Sequence, residues 1–161
     1  MSEENIRKFV LNNIKGSPDK TIAVWDKMLR DGLIPNVNVQ DITWFNWTAL
    51  MYQTIYGTEE GMLWLLTRKP PANIDMQIYG NTALKHAVHS NDPAKVRFLL
   101  DHKADRSIKN KTGNTPLSHA KTTSYIDPAI IELLESYYPE KLDLTSERER
   151  VEREQVWRLS E

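Results

Sequence analysis

The strongest constraint on the fold is a short stretch of sequence that occurs twice. The residues GNTALKHA, which begin at Gly80, return as GNTPLSHA at Gly113, 33 positions later, with six identities in eight positions. A catalytic loop is normally present once, because one substrate needs one set of reacting groups in one place. The duplication therefore predicts a repeated structural unit before it predicts any chemistry.

The repeat can be followed in both directions from these two copies. Residues 48–50 (TAL) lie 34 positions before residues 82–84 (TAL) and mark an upstream copy. Each copy is followed by an apolar triplet at i, i+3 and i+4, the spacing of one helix face. The three triplets, again 34 positions apart, are Met62, Leu65 and Leu66, then Val96, Leu99 and Leu100, then Ile130, Leu133 and Leu134.

Each unit is therefore predicted to be a turn, a helix, a second turn and a second helix. In the middle unit, Gly80 supplies a flexible turn and Thr82 caps the first helix. Pro93 suits the first position of the second helix, where its missing N–H costs nothing. Two short helices cannot enclose a core, but they can do so when they stack on neighbouring pairs.

The runs GNTPLSHA, IIELLESY and FLLDHKADRSIKNKTGNTPL resemble the ankyrin repeat, whose signature contains Thr-Pro-Leu-His and whose period is about 33 residues. The resemblance implies an all-α, ankyrin-type helical solenoid of about four stacked helix-turn-helix units, the first divergent, with short β-hairpin fingers. It covers residues 34–138, with units near 44–77, 78–110 and 111–138. Residues 1–33 are expected to form a divergent N-terminal capping helix pair, and residues 139–161 a charged C-terminal helix or tail. The family's usual His is replaced by Met51, Lys85 and Ser118, so its hydrogen bonds are not assumed here.

Composition limits the classes of partner. The chain of 161 residues is 40% hydrophobic and has a formal net charge of −1, so no overall charge attracts nucleic acid or an anionic membrane. It contains no cysteine, which excludes disulfides, a thiol nucleophile and cysteine-bound metals. No secretory signal or membrane-spanning run is recognised. We expect a cytoplasmic protein, in the source cell or in a host cell if the source is an intracellular bacterium or virus.

The polar residues give little support to catalysis or metal binding. His86 and His89 are three apart on one predicted helix, and His119 lies one unit further, a pattern that could hold a metal. Packing or hydrogen bonding within the inner helices is the favoured explanation of His86 and His119, and we predict no metal site. Ser90 and Ser118 lie near histidines but occupy ordinary surface or capping positions. No glycine-rich phosphate loop is present, so we predict no catalytic residue, no cofactor and no enzyme activity.

With catalysis and metal binding not supported, binding of a protein partner is the remaining function. The aromatic residues indicate which surface would bind it. The resemblance implies that partners bind the fingers and the inner-helix surface. The candidate partner-binding residues at these positions are Trp44, Phe45, Trp47, Tyr56, Ile78, Tyr79, Asn81, His89, Lys111 and Asn114. By repeat position, four aromatic residues would fall on one continuous strip: Trp44, Trp47, Tyr56 and Tyr79. Trp and Tyr dominate interface hot spots, so this strip is the expected centre of binding. The run WFNW at residues 44–47 has an alternative interpretation, in which it folds inward as core, and Trp25 and Trp64 are expected in the core.

The sequence thus favours a non-catalytic module that binds one folded protein, as an adaptor or a stoichiometric inhibitor, and a monomer over a homo-oligomer. In the alternative, the array positions a functional C-terminal helix for oligomerisation or membrane-surface contact. A capping box at Ser146 and Glu149 predicts that helix.

Overall fold

Helices dominate the part of the chain that the structure describes. This structure is a computed structural model, and it describes residues 18–32, 36–38 and 47–137. The helices within these ranges are α1 (Pro18–Arg30), α2 (Ala49–Tyr56), α3 (Glu59–Leu66), α4 (Ala83–His89), α5 (Pro93–Asp101), α6 (Pro116–Thr122) and α7 (Pro128–Ser136). The first helix of the predicted cap, Trp44, Phe45 and the predicted tail helix lie outside the described residues.

The helices pack as two rows. Helices α2, α4 and α6 contact one another in sequence and form the inner row. In the second, outer row, α1 contacts α3 and α5 contacts α7, while the pairs α2–α3, α4–α5 and α6–α7 join the two rows. Each helix pair packs against the next, which is the arrangement that the repeated sequence predicts. The pairs fall within the predicted units, whose exact boundaries remain predictions.

Local sequence explains where the helices begin. The hydroxyl oxygens of Thr48, Thr82 and Thr115 accept hydrogen bonds from the backbone N–H three residues later, at 3.2, 3.4 and 3.1 Å. Each threonine thereby satisfies an amide that the first turn of an inner helix would otherwise leave unpaired. Asp92 and Asp127 cap α5 and α7, and a proline follows each of them at the first helical position.

The core lies between the two rows of helices. The apolar triplets of the sequence point into it, with Leu66 and Leu133 partly buried and the other members buried. Trp25 and Trp64 are buried as well, which confirms their assignment to the core. The Arg68 guanidinium lies 3.9 Å from the centre of the Trp64 ring and 3.5 Å from Asp26, so it links α3 to α1.

The fingers differ from the prediction. In place of hairpins, Ile78 and Asn81 form an isolated bridge in which their backbone groups exchange hydrogen bonds of 2.9 Å. The Asn110 amide donates to the Asn114 carbonyl at 3.0 Å, and aspartate and asparagine side chains bind several further amides. Asn110 Oδ1 accepts from the amides of Thr112 and Asn114, and Asp75 Oδ1 accepts from the amide of Asp105 at 2.8 Å in the next unit. Because side chains satisfy these groups, no strand ladder is needed.

Further polar contacts join one unit to the next. The Asn91 side chain donates to the Tyr125 carbonyl at 3.2 Å and accepts from the Asp127 amide at 2.7 Å. Arg106 donates to the Leu134 carbonyl at 2.7 Å. These bonds hold the turns and outer helices of successive units in register.

Candidate functional site

The candidate surface is built from the inner row of helices and the fingers that precede them. The threonine caps fix where each inner helix starts, so equivalent positions in successive units lie side by side. Of the ten predicted partner-binding residues, Trp44 and Phe45 lie outside the described residues. The structure places the other eight in three different environments.

Two aromatic residues are exposed as expected. Tyr56, the last residue of α2, has 53% of its surface exposed, and Tyr79, in the finger before α4, has 60%. The Lys111 ammonium lies 4.5 Å from the centre of the Tyr79 ring, which brings neighbouring fingers together through a cation–π contact. Tyr79 also has a left-handed backbone, with φ of 53°.

Trp47 and Ile78 face inward. Trp47 is half-buried against the core, and its ring centre lies 5.4 Å from that of Tyr52 and 4.8 Å from that of His86. This placement favours the inward interpretation for the described end of the WFNW run. Ile78 is 7% exposed and belongs to the core, so its side chain is not available at the finger surface. The bridge to Asn81 turns it inward while Tyr79 points out.

The remaining polar candidates surround the start and end of the inner helices. Asn81 is half-buried beside Ile78, and Asn114 is exposed in the next finger. The Asn114 carbonyl accepts a hydrogen bond of 2.6 Å from Lys85 Nζ, which joins α4 to that finger. His89 is exposed at the end of α4, with its ring centre 5.8 Å from that of His119 on α6.

Burial and mutual repulsion lower the basicity of this inner surface. Burial, with a smaller contribution from His89, lowers the pKa of His86 to about 4. Burial also lowers the pKa of His119, and the nearby His89 and Lys85 lower it further. The pKa of Lys85 is lowered by burial alone. His86 is therefore held largely neutral at pH 7.

Sequence reasoning did not select two further residues of interest, the buried Lys85 and the exposed Tyr125. Lys85 occupies the position of the family's usual His, a departure visible in the sequence, but only the structure shows its contact with Asn114. Tyr125 lies in the loop between α6 and α7 and is exposed. Its place in the turn between two predicted helices was the available signal.

Within the described residues, no three histidine or acidic side chains are grouped as metal ligands. None of the described helices combines the length and apolar character needed to cross a membrane.

Comparison with known proteins supports the interpretation of the repeats. The family model for ankyrin repeats, in three copies, matches residues 22–110. No curated protein matches the chain. Ankyrin repeats are generally protein–protein interaction modules and typically lack enzyme activity, and stacked repeats provide extended concave surfaces for binding. The match covers more than half of the chain, which therefore belongs to the ankyrin-repeat family.

Proposed function

We propose that this protein is a non-catalytic module that binds one folded protein through its finger loops and inner-helix surface, as an adaptor or a stoichiometric inhibitor. The distribution of exposed aromatic residues supports this proposal. Among the described residues, the large hydrophobic side chains left exposed are Tyr56, Tyr79 and Tyr125, and none of them lies on an outer helix. Exposed tyrosines on the fingers and at the ends of the inner helices fit an interaction surface there.

The two tyrosines nearest the centre of the array are suited to binding. Tyr79 is held by its backbone conformation and by the contact with Lys111, so little rotational freedom is lost when a partner covers it. Tyr56 projects from the end of a helix whose first six residues are buried. Both side chains therefore present apolar area from a rigid support. Truncation of each is expected to cost about 2 kcal/mol of binding free energy if it is a hot spot.

Site-specific photo-crosslinking tests the location of the surface. A benzoylphenylalanine is placed at Tyr56 or Tyr79, and at Arg97 of α5 or Glu132 of α7 as matched exposed controls on the outer helices. After irradiation in an extract of the native source, mass spectrometry identifies the captured proteins. The same protein should be captured from both tyrosine positions and not from the outer helices. Capture from Arg97 or Glu132 alone would contradict the proposal.

A double variant tests whether the tyrosines contribute to affinity. Tyr56→Ala with Tyr79→Ala should abolish capture while the circular dichroism spectrum and melting temperature stay close to those of the wild type. Deletion of residues 145–161 separates this proposal from the alternative of a functional C-terminal helix. Partner binding should survive the deletion, and its loss would favour the tail.

A further inference from the structure

The inner row of helices carries an unbalanced set of charges. Helices α2, α4 and α6 contain neither aspartate nor glutamate over the ranges given above. Helices α4 and α6 contribute basic groups, which are Lys85, His86, His89, His119 and Lys121. Only Lys121 has a described carboxylate partner, Glu135 of α7, at 2.5 Å. The side of the array assigned to binding therefore offers cations and neutral donors.

Lys85 is the most unusual member of this set. It is 6% exposed, and the hydrogen bond described for its Nζ goes to the Asn114 carbonyl. An ammonium group has three donors, and burial without a nearby anion disfavours its charge. Within the described residues, no carboxylate forms an ion pair with Lys85. The site thus lacks the negative charge that a buried lysine normally has beside it.

Two histidines complete the cluster. His89 follows Lys85 by four residues on α4, so both lie on one helix face. The His89 ring lies 5.8 Å from that of His119, and His119 Nε2 is buried with no hydrogen-bond partner among the described residues. An acceptor can reach this nitrogen if a neighbouring side chain moves, and His89 is an exposed neighbour. The repulsion that Lys85 and His89 exert on His119 would be relieved by an anion placed between them.

We propose that Lys85, His89 and His119 form a carboxylate-binding site that accepts an acidic side chain of the protein partner. The inference rests on the proposed function, because the carboxylate is supplied by the bound protein. The imidazoles of His89 and His119 donate hydrogen bonds to the carboxylate. The Lys85 ammonium, held by its hydrogen bond to Asn114, attracts the carboxylate. This attraction is stronger than in water because the surroundings of Lys85 are poorly hydrated.

Binding at this site depends on pH. A carboxylate beside the two imidazoles favours their protonated forms, so binding takes up protons and strengthens as the pH falls. The other ionisable groups around the cluster are arranged as follows. His86 is on the same helix, Lys121 is paired with Glu135, Lys111 lies on the finger, and Lys95 of α5 lies 3.7 Å from Asp92. Helix α2 contributes only Tyr52 and Tyr56.

Nuclear magnetic resonance of the histidine rings tests the site in the full-length chain. The probe is a capped peptide of alternating glycine and glutamate, with the glycine–glutamine peptide as the matched control. The glutamate peptide should shift the His89 and His119 resonances saturably. It should bind about threefold more tightly at pH 6.0 than at pH 7.5. Absence of a saturable shift, or an equal shift with the glutamine peptide, would overturn the proposal.

Variants assign the response to the cluster. His89→Gln, at an exposed position, should weaken peptide binding at least about fivefold, since the glutamine amide can donate a hydrogen bond but cannot take up a proton beside the carboxylate. Arg97→Gln removes a positive charge from outer helix α5 and should leave binding unchanged. Peptide binding by Lys85→Met is interpreted only if its melting temperature shows that it folds. If Lys85→Met does not fold, His89→Gln alone decides the outcome. Unchanged binding in His89→Gln would refute the site, as would a stronger response to inorganic phosphate than to the glutamate peptide.

The peptide test and the crosslinking test can fail separately. If His89→Gln leaves peptide binding unchanged but the tyrosine positions still capture a partner, the carboxylate site is wrong and the proposed function stands. If peptide binds at the cluster but capture comes only from the outer helices, the proposed function is wrong and the partner-supplied carboxylate is refuted with it.

Discussion

Gly80 and Gly113 occupy the same position in successive fingers and have almost the same backbone, with φ of +78° and +80°. Their surroundings differ. A Cβ atom at Gly80 would lie 2.6 Å from Asn110 Cα and 2.8 Å from the Lys111 backbone nitrogen, whereas no atom lies within 4 Å of the corresponding point at Gly113. Gly113 is thus required only by its backbone conformation, but Gly80 is also required by contact with the next finger.

The two alanine variants should separate these requirements. Gly113→Ala should lower the free energy of unfolding by about 1–2 kcal/mol, which is the cost of a left-handed residue. Gly80→Ala should cost about 1–3 kcal/mol more, because backbone atoms of the neighbouring finger must move. Urea unfolding of both variants measures the difference. Equal costs would show that the fingers separate easily.

His86 makes stability depend on pH. Its pKa is about 4 in the folded chain against an ordinary value of 6.5, so between these values the unfolded chain binds the proton and the folded chain does not. The stabilisation is complete above pH 6.5 and is lost as the pH falls towards 4. From pH 7 to pH 5 the free energy of unfolding should therefore fall by about 2 kcal/mol through this group.

Replacing the ring tests this assignment. In His86→Gln, the decrease in stability between pH 7 and pH 5, measured by urea unfolding, should be smaller than in the wild type. Loss of the Trp47 contact lowers stability at both pH values, so the difference is the relevant quantity. His89→Gln is the control, because burial is the larger cause of the shift and most of the pH dependence should remain. An unchanged dependence in His86→Gln would assign it to other groups.

At the scale of single elements, the threonine caps account for the regular start of the inner helices. Thr115 Oγ1 accepts a hydrogen bond of 3.1 Å from the Ser118 amide, and the side chain is half-buried. Thr115→Val keeps the shape but removes the acceptor, and should destabilise the chain by about 1 kcal/mol. Thr115→Ser keeps the acceptor and should cost less. Urea unfolding compares the two, and a serine variant as unstable as the valine variant would argue against capping.

The helices and their caps could be predicted from the sequence because both depend on local spacing. Thr82 and Pro93 mark helix starts, and residues such as Val96 and Leu99 mark the buried face wherever the unit sits in the array. The finger could not be predicted in the same way. Ile78 and Tyr79 are adjacent apolar residues, and the turn at Gly80 and contacts with Asn110 and Lys111 decide which one is buried.

The environment of Lys85 was also beyond sequence reasoning. The spacing placed it on an inner helix, but its burial and its bond to Asn114 depend on how α4 meets the following finger. Long-range contacts of this kind are set by the stacking of units. Local propensity carries no information about them, so the candidate site was predicted less completely than the fold.

At the scale of the whole molecule, the main contacts of each helix pair are with its neighbours among the described elements. The free energy of unfolding of such an array is a sum of contributions from each unit and from each interface between neighbours. The helices that a destabilising substitution affects should therefore depend on which unit carries it. Leu100 in α5 and Leu134 in α7 provide a matched pair. They are the same residue type, 34 positions apart, and both are buried. Alanine at either position should cost about 2–5 kcal/mol within its unit.

Hydrogen exchange of the two variants should reveal the linear coupling. Leu134→Ala weakens the last described pair, so amides of α6 and α7 should exchange faster while those of α2 and α3 keep their protection. Leu100→Ala weakens a pair with neighbours on both sides, so loss of protection should reach α2 and α3 as well as α6 and α7. If Leu134→Ala instead reduced protection equally in every helix, the described units would unfold as one cooperative body. The repeats would then be units of architecture but not separate units of stability.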